Sequence, residues 1–264
     1  MSVLPDGLGD AIRGTARDIA DVLRQAPDTG LPVPRLTWTV GETAAHLGQA
    51  NLLMAELAAG HVRPYADGTA EGIAAANEEA LAAFPERAAG PLADLILDQA
   101  LAFLDAVEER APEEVVETPM GPLDPAGLGA YLLTHLLGHG YDLARALGRP
   151  HMLDRARVEL TLPFMVAAMP RVADPAAVAG VTARYRVRLW GGAQFGVTVA
   201  DGTVTTTHGP LDRPDCTVLT EPVAFLLMGL GRIDPVPVMA TGRALAWGRK
   251  PWLGPRFPRL FVAP

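Results

Sequence analysis

The chain has 264 residues, 49% of them apolar and 20% charged, and a formal charge of −8. This length fits one large or two ordinary domains, and the acidic balance excludes a general affinity for phosphate backbones, hence a nucleic-acid partner. No uninterrupted apolar stretch approaches the ~20 residues needed to cross a bilayer, so no membrane span is expected.

The first 150 residues carry the 3.6-residue period of amphipathic helices. A first segment, roughly Gly7 to Gln25, sets Ile12, Ile19, Val22 and Leu23 on a common side. A second opens with Thr39-Val40-Gly41-Glu42 and stops near Gly60; Thr followed three residues later by Glu is a capping box, in which hydroxyl and carboxylate satisfy first-turn amides reciprocally. Thr69 to Phe84 reads as a less apolar helix. The next, about Pro91 to Arg110, has a stripe of Leu92, Leu95, Ile96, Ala100, Phe103, Leu104 and Val107. The last opens at Asp124-Pro125, an N-cap followed by proline at the first helical position, and ends at Gly148. Four main helices with polar or Gly/Pro-rich connections predict a four-helix bundle over 1–150.

The period then changes. After one more helix, Asp154 to Met169, VTARYRVRLW alternates: Val181, Ala183, Tyr185, Val187 and Leu189 face one way, and Arg184, Arg186 and Arg188 form a solvated outer face. QFGVTVADGTVTTTHG reads as two strands joined through Asp201-Gly202, a strong hairpin signal. Cys216 to Leu219 is a further strand, and Glu221 to Leu230 and Pro251 to Phe261 are short helices. The predicted architecture is therefore a helical bundle, 1–150, followed by a small α+β domain, 151–264.

The chemistry concentrates in the last helix of the bundle. His135 and His139 are four apart, so their rings share one face. Two imidazoles in a bundle core need their ring nitrogens satisfied, and a divalent metal does this for both at once. His46, midway along the second helix among small residues, is the natural third ligand. Three imidazoles with an open fourth position describe a catalytic zinc site, since a structural one is closed by four ligands. The alternative is three unrelated histidines satisfied by backbone and solvent.

Trp38-Thr39-Val40-Gly41-Glu42 with Ala45-His46-Leu47, together with His139-Gly140-Tyr141-Asp142-Leu143-Ala144-Arg145 and Gly148-Arg149-Pro150, resembles the mycothiol-dependent maleylpyruvate isomerase family. The resemblance covers almost the whole chain. It implies a DinB-like metal-binding bundle and a sterol-carrier-like second domain, the latter including Asp215 to Thr217 and Thr241-Gly242-Arg243. It also implies a metal held by His46, His135 and His139. The characterised isomerase is thought to use Glu where this chain has His135; three-histidine sets are usual among related DinB-like thiol transferases.

The expected function is a thiol-using isomerase or thiol S-transferase acting on a small electrophilic substrate, an unsaturated carbonyl compound or acid. Zn2+ or another divalent metal serves as cofactor, because the cation favours a thiolate over a thiol. The thiol is expected to be diffusible mycothiol, because Cys216, the only cysteine, reads as a small buried residue. Arginine nearly monopolises the positive charge, with Lys250 the sole lysine, which suggests a GC-rich, actinobacterial genome in keeping with that thiol. The resemblance also implies Arg243 as the candidate catalytic cation for an acidic substrate. Asp142 either orients a ligand histidine or pairs with Arg145 or Arg149 on the helix surface. Glu42 is assigned to its cap, Trp38 to packing at the helix entrance, and His61, His151 and His208 to exposed termini or loops.

With one cysteine no intrachain disulfide can form, and MSVLPDGLGD lacks the basic-then-apolar layout of a signal peptide. A cytoplasmic monomer or homodimer is expected. Two other readings stay open: a non-catalytic protein that binds a small molecule, and a scaffold recruited for a tailoring step in secondary metabolism.

Overall fold

The computed structural model describes residues 3–61, 65–66 and 69–262. Its contacts divide the chain into two compact units, Met1–Leu153 and Asp154–Pro264. Among the described residues no helix is long and apolar enough to cross a membrane.

The first unit contains α1 (Leu8–Arg24), α2 (Val40–Ala58), α3 (Ala70–Ala83), α4 (Ala89–Val107), a hairpin of β1 (Val116–Thr118) and β2 (Gly121–Leu123), and α5 (Pro125–Ala146). α1 packs on α4 and α5, and α2 packs on the same two, so these four helices make a bundle. Its interior is filled by Ile12, Ile19 and Leu23 of α1, Leu47 of α2, Leu92, Ile96 and Phe103 of α4, and Leu132 and Leu133 of α5, all fully buried. Each such side chain stabilises the fold by about 1.5–3 kcal/mol relative to exposure. Val22 departs from its expected place in the stripe: it is half-buried, because one residue before Leu23 means roughly 100° around the helix.

Local chemistry fixes where α2 starts and stops. The Thr39 hydroxyl accepts from the Glu42 amide, and a Glu42 carboxylate oxygen accepts from both the Thr39 amide and its hydroxyl. Those bonds to Thr39 hold the Glu42 carboxyl below its ordinary range. Replacing Thr39 with alanine breaks the box and is expected to cost about 1 kcal/mol, read as a drop of a few degrees in Tm. At the far end Arg110 donates to the carbonyls of Leu57 and Ala58, filling acceptors that a helix end leaves open. The Gly140 position is set by packing: a Cβ there would lie 2.8 Å from Met152 Sδ and 3.0 Å from the Ile19 side chain.

The hairpin β1–β2 was not expected. Its strands are three residues long, too short for an alternating pattern to register, and its turn is held by the Thr118 hydroxyl, which donates to the Gly121 carbonyl.

The second unit begins with α6 (Arg155–Ala168) and α7 (Pro175–Val178) and continues with β3 (Ala183–Leu189), β4 (Gln194–Ala200), β5 (Thr203–His208), β6 (Cys216–Thr220), α8 (Pro222–Gly229), α9 (Pro235–Ala240) and β7 (Ala244–Trp247). A 3-10 helix, Pro251–Leu260, follows. The five strands form one sheet in the order β5-β4-β3-β6-β7, with β3 parallel to β6 and every other pairing antiparallel. Ala183, Tyr185, Val187 and Leu189 are buried in its core, whereas Arg184 and Arg186 are half-buried and Arg188 is exposed. Asp201 and Gly202, both at positive φ, turn β4 into β5. Cys216 is fully buried and its thiol is pushed up by burial. The segment read as a helix from Pro251 to Phe261 takes the tighter 3-10 form, in keeping with Pro255 and Pro258 inside it, which cannot donate to an α-helical ladder.

Candidate metal centre

His46 sits in the second turn of α2, which the capping box anchors, and His135 and His139 sit on successive turns of α5. Because α2 packs directly on α5, the three rings meet: centroids are 5.1 Å apart for His46 and His135, 5.0 Å for His46 and His139, and 4.6 Å for His135 and His139. His46 Nε2 lies 3.2 Å from His135 Nε2, and one ligand atom from each ring lies within 4.8 Å of the others. Among the described residues no other group of histidine, cysteine and carboxylate side chains is so disposed.

His46 and His139 are 8% and 9% exposed, while His135 keeps more of its surface. Burial, and then the nearby His139, lowers the pKa of His46 to about 3, so its ring is neutral and offers a lone pair at physiological pH. The unfolded chain would take up a proton on this ring below its ordinary value of 6.5, which the metal-free fold refuses. The corresponding stability is fully present above pH 6.5 and is lost as pH falls from there towards 3, by up to ~1.4 kcal/mol per pH unit. Acid unfolding of metal-free protein, followed by circular dichroism, is expected to show this slope, and His46→Ala should flatten it.

The cluster fits a divalent metal. Two nitrogens bound tetrahedrally at zinc distances of 2.0–2.1 Å stand about 3.4 Å apart, close to the separation of His46 and His135. Neutral imidazoles crowded into a low-dielectric interior suit a cation, which neither water nor another side chain replaces well.

Asp142 is 2% exposed and its Oδ2 lies 3.2 Å from His139 Nδ1, close but without the alignment of a hydrogen bond. Arg145 and Arg149, its other expected partners, are both exposed. A carboxylate against Nδ1 favours the tautomer that leaves Nε2 free to bind.

Trp38 does more than pack the helix entrance. Its ring is 4.8 Å from His46 and 6.4 Å from His139, and its Nε1 donates to Glu78 of α3 at 2.9 Å. The indole thus walls the histidines, a role its place just before the N-cap did not reveal. The available signal was an aromatic residue two turns ahead of His46 on the same helix start.

Arg243 is placed in the second unit, where it follows Gly242 at positive φ and donates to Glu221 Oε2 at 2.7 Å. Glu221 also caps α8, accepting from the amides of Val223 and Ala224. His61, His151 and His208 are exposed.

A mycothiol-dependent maleylpyruvate isomerase of known crystal structure is similar at 12% identity and a TM-score of 0.56, with 93% of this chain and 95% of that chain covered. A histidine-to-alanine mutant of the enzyme matches over the same shares, at 12% identity and a TM-score of 0.57. At this identity the likeness establishes a shared fold. No curated protein matches the chain. The family described as the mycothiol maleylpyruvate isomerase N-terminal domain matches residues 5–144, more than half of the chain and all three histidines, and the chain belongs to that family.

Proposed function

We propose that the protein is a metal-dependent, mycothiol-using isomerase or thiol S-transferase acting on a small electrophilic substrate, an unsaturated carbonyl compound or acid. The observation that carries this reading is the convergence of His46, His135 and His139 on one point of a bundle interior. On this reading the first unit is a DinB-like metal-binding bundle and the second a sterol-carrier-like domain. Zn2+ or another divalent ion held by the three imidazoles would supply a fixed positive charge that favours the thiolate form of a thiol.

The chain's own residues would set the stage for that charge. His46, neutral and buried, presents a lone pair without first losing a proton. Asp142, its carboxylate beside His139 Nδ1, would favour the tautomer that leaves Nε2 free to bind. Trp38 lies against His46 on one side, an apolar neighbour that would strengthen electrostatic interactions beside it. Arg243, in the second unit, remains a candidate cation for an acidic substrate on the family resemblance. His135, in place of an acidic ligand, leaves one more unit of positive charge at a loaded site, which suits anionic thiolates and acids.

A conjugation and isomerisation screen of mycothiol against unsaturated carbonyl acids, with product geometry read by NMR, tests the reading. Turnover that requires the three histidines and a divalent metal is expected; absence of turnover with a metal-loaded protein would overturn it.

A further inference from the structure

From Leu128 to Gly140 every side chain of α5 is buried except two, Tyr131 and His135. Positions four apart differ by about 40° around a helix, so the two rings are stacked along one face. His135 is a candidate ligand, and the other accessible side chain of this stretch therefore stands one turn from it, towards the N-terminus of α5. Tyr131 is otherwise closely surrounded: burial first, and then Tyr65, raises its phenol well above the ordinary tyrosine value. It stays protonated, hence a donor, across the working pH range.

The surroundings link this phenol to the residues that pack around the histidines. The Tyr65 hydroxyl donates to Asn77 Oδ1 at 2.5 Å, and the next residue of α3, Glu78, accepts from Trp38. Consecutive residues of one helix thus reach Tyr65, which interacts with Tyr131, and Trp38, which lies against His46.

We propose that Tyr131 is a catalytic residue whose phenol O–H donates a hydrogen bond to the carbonyl oxygen of an α,β-unsaturated carbonyl substrate. This rests on the thiol-addition reading above. When a thiolate adds to the β-carbon, a carbon–sulfur bond forms and the π pair of the C=C bond shifts to make an enolate, with its negative charge on the carbonyl oxygen. Rotation about the new carbon–carbon single bond follows. Collapse of the enolate restores the C=C bond and expels the thiolate, with no net proton transfer. Only the enolate stage places full charge on the oxygen, so a fixed neutral donor there stabilises the transition state more than the substrate.

The test compares wild type with Tyr131→Phe, which keeps the ring and removes the donor. Two probes are titrated calorimetrically into protein of measured metal content: oxalate, which mimics the charged oxygen of an enolate, and pyruvate, a neutral carbonyl. Oxalate is expected to bind about tenfold more weakly to the variant and pyruvate less than about threefold. With mycothiol and an unsaturated acid, kcat is expected to fall about a hundredfold, with Tm and metal content unchanged. Wild-type oxalate affinity in Tyr131→Phe, or wild-type kcat, would overturn the proposal. A wild-type protein that turns over no thiol and acid pair, while the variant still loses oxalate affinity, would overturn the thiol-addition reading and leave the donor in place.

Discussion

Replacing either His46 or His139 with alanine is expected to leave a folded protein that no longer retains a divalent metal and turns over no thiol. Each of these imidazoles comes from a helix held by independent means: α2 by the Thr39–Glu42 box and Arg110, α5 by its Asp124 cap and the packing of Leu132 and Leu133. Neither ring is needed for those contacts. Losing one of three ligands forfeits about 3 kcal/mol of binding, taking structural zinc sites as the scale, and so roughly a hundredfold in affinity. Metal per chain, measured by mass spectrometry after dialysis, should fall to near zero in both variants, while far-ultraviolet circular dichroism stays that of wild type. A variant that keeps a full equivalent of metal would remove that histidine from the site.

Asp142→Ala carries the second large effect. The carboxylate is buried, and it lies against the Nδ1 of His139, which leaves Nε2 as that ring's candidate ligand atom. Removing such a partner from a ligand histidine typically costs 10–100-fold in metal affinity, and that range is expected here by competition with a chromophoric chelator. The double variant with His139→Ala should lose no more than His139→Ala alone, because Asp142 acts through that ring. If Asp142 served only as a charge partner for Arg145 or Arg149, metal affinity in Asp142→Ala would stay that of wild type.

What the sequence made legible follows the range of the interactions involved. The cap at Thr39, the Asp124-Pro125 start and the Asp201-Gly202 turn depend on neighbours a few residues away, and each is found where its local chemistry put it. The pairing of His135 with His139 is likewise a matter of helical spacing. His46 lies 89 positions from His135, so its convergence depends on how α2 meets α5; its small neighbours made it a candidate, and family resemblance strengthened it. The place of Trp38 against the imidazoles, and Tyr131 altogether, escaped notice for the same reason. An aromatic residue on an apolar helix reads as core, and only packing shows that Tyr131 keeps accessible surface beside His135. In the second unit α9 and β7 were missed, being six and four residues long, too short for either period to emerge.

The most direct measurement is X-ray absorption at the metal edge of protein purified without chelators, with metal content determined on the same sample. One divalent ion per chain is expected, its inner shell containing three imidazole nitrogens at about 2.0–2.1 Å if the ion is zinc, and that shell should be lost in His46→Ala. Full thiol-dependent turnover by protein holding no metal, or a metal shell without imidazole, would contradict the assignment.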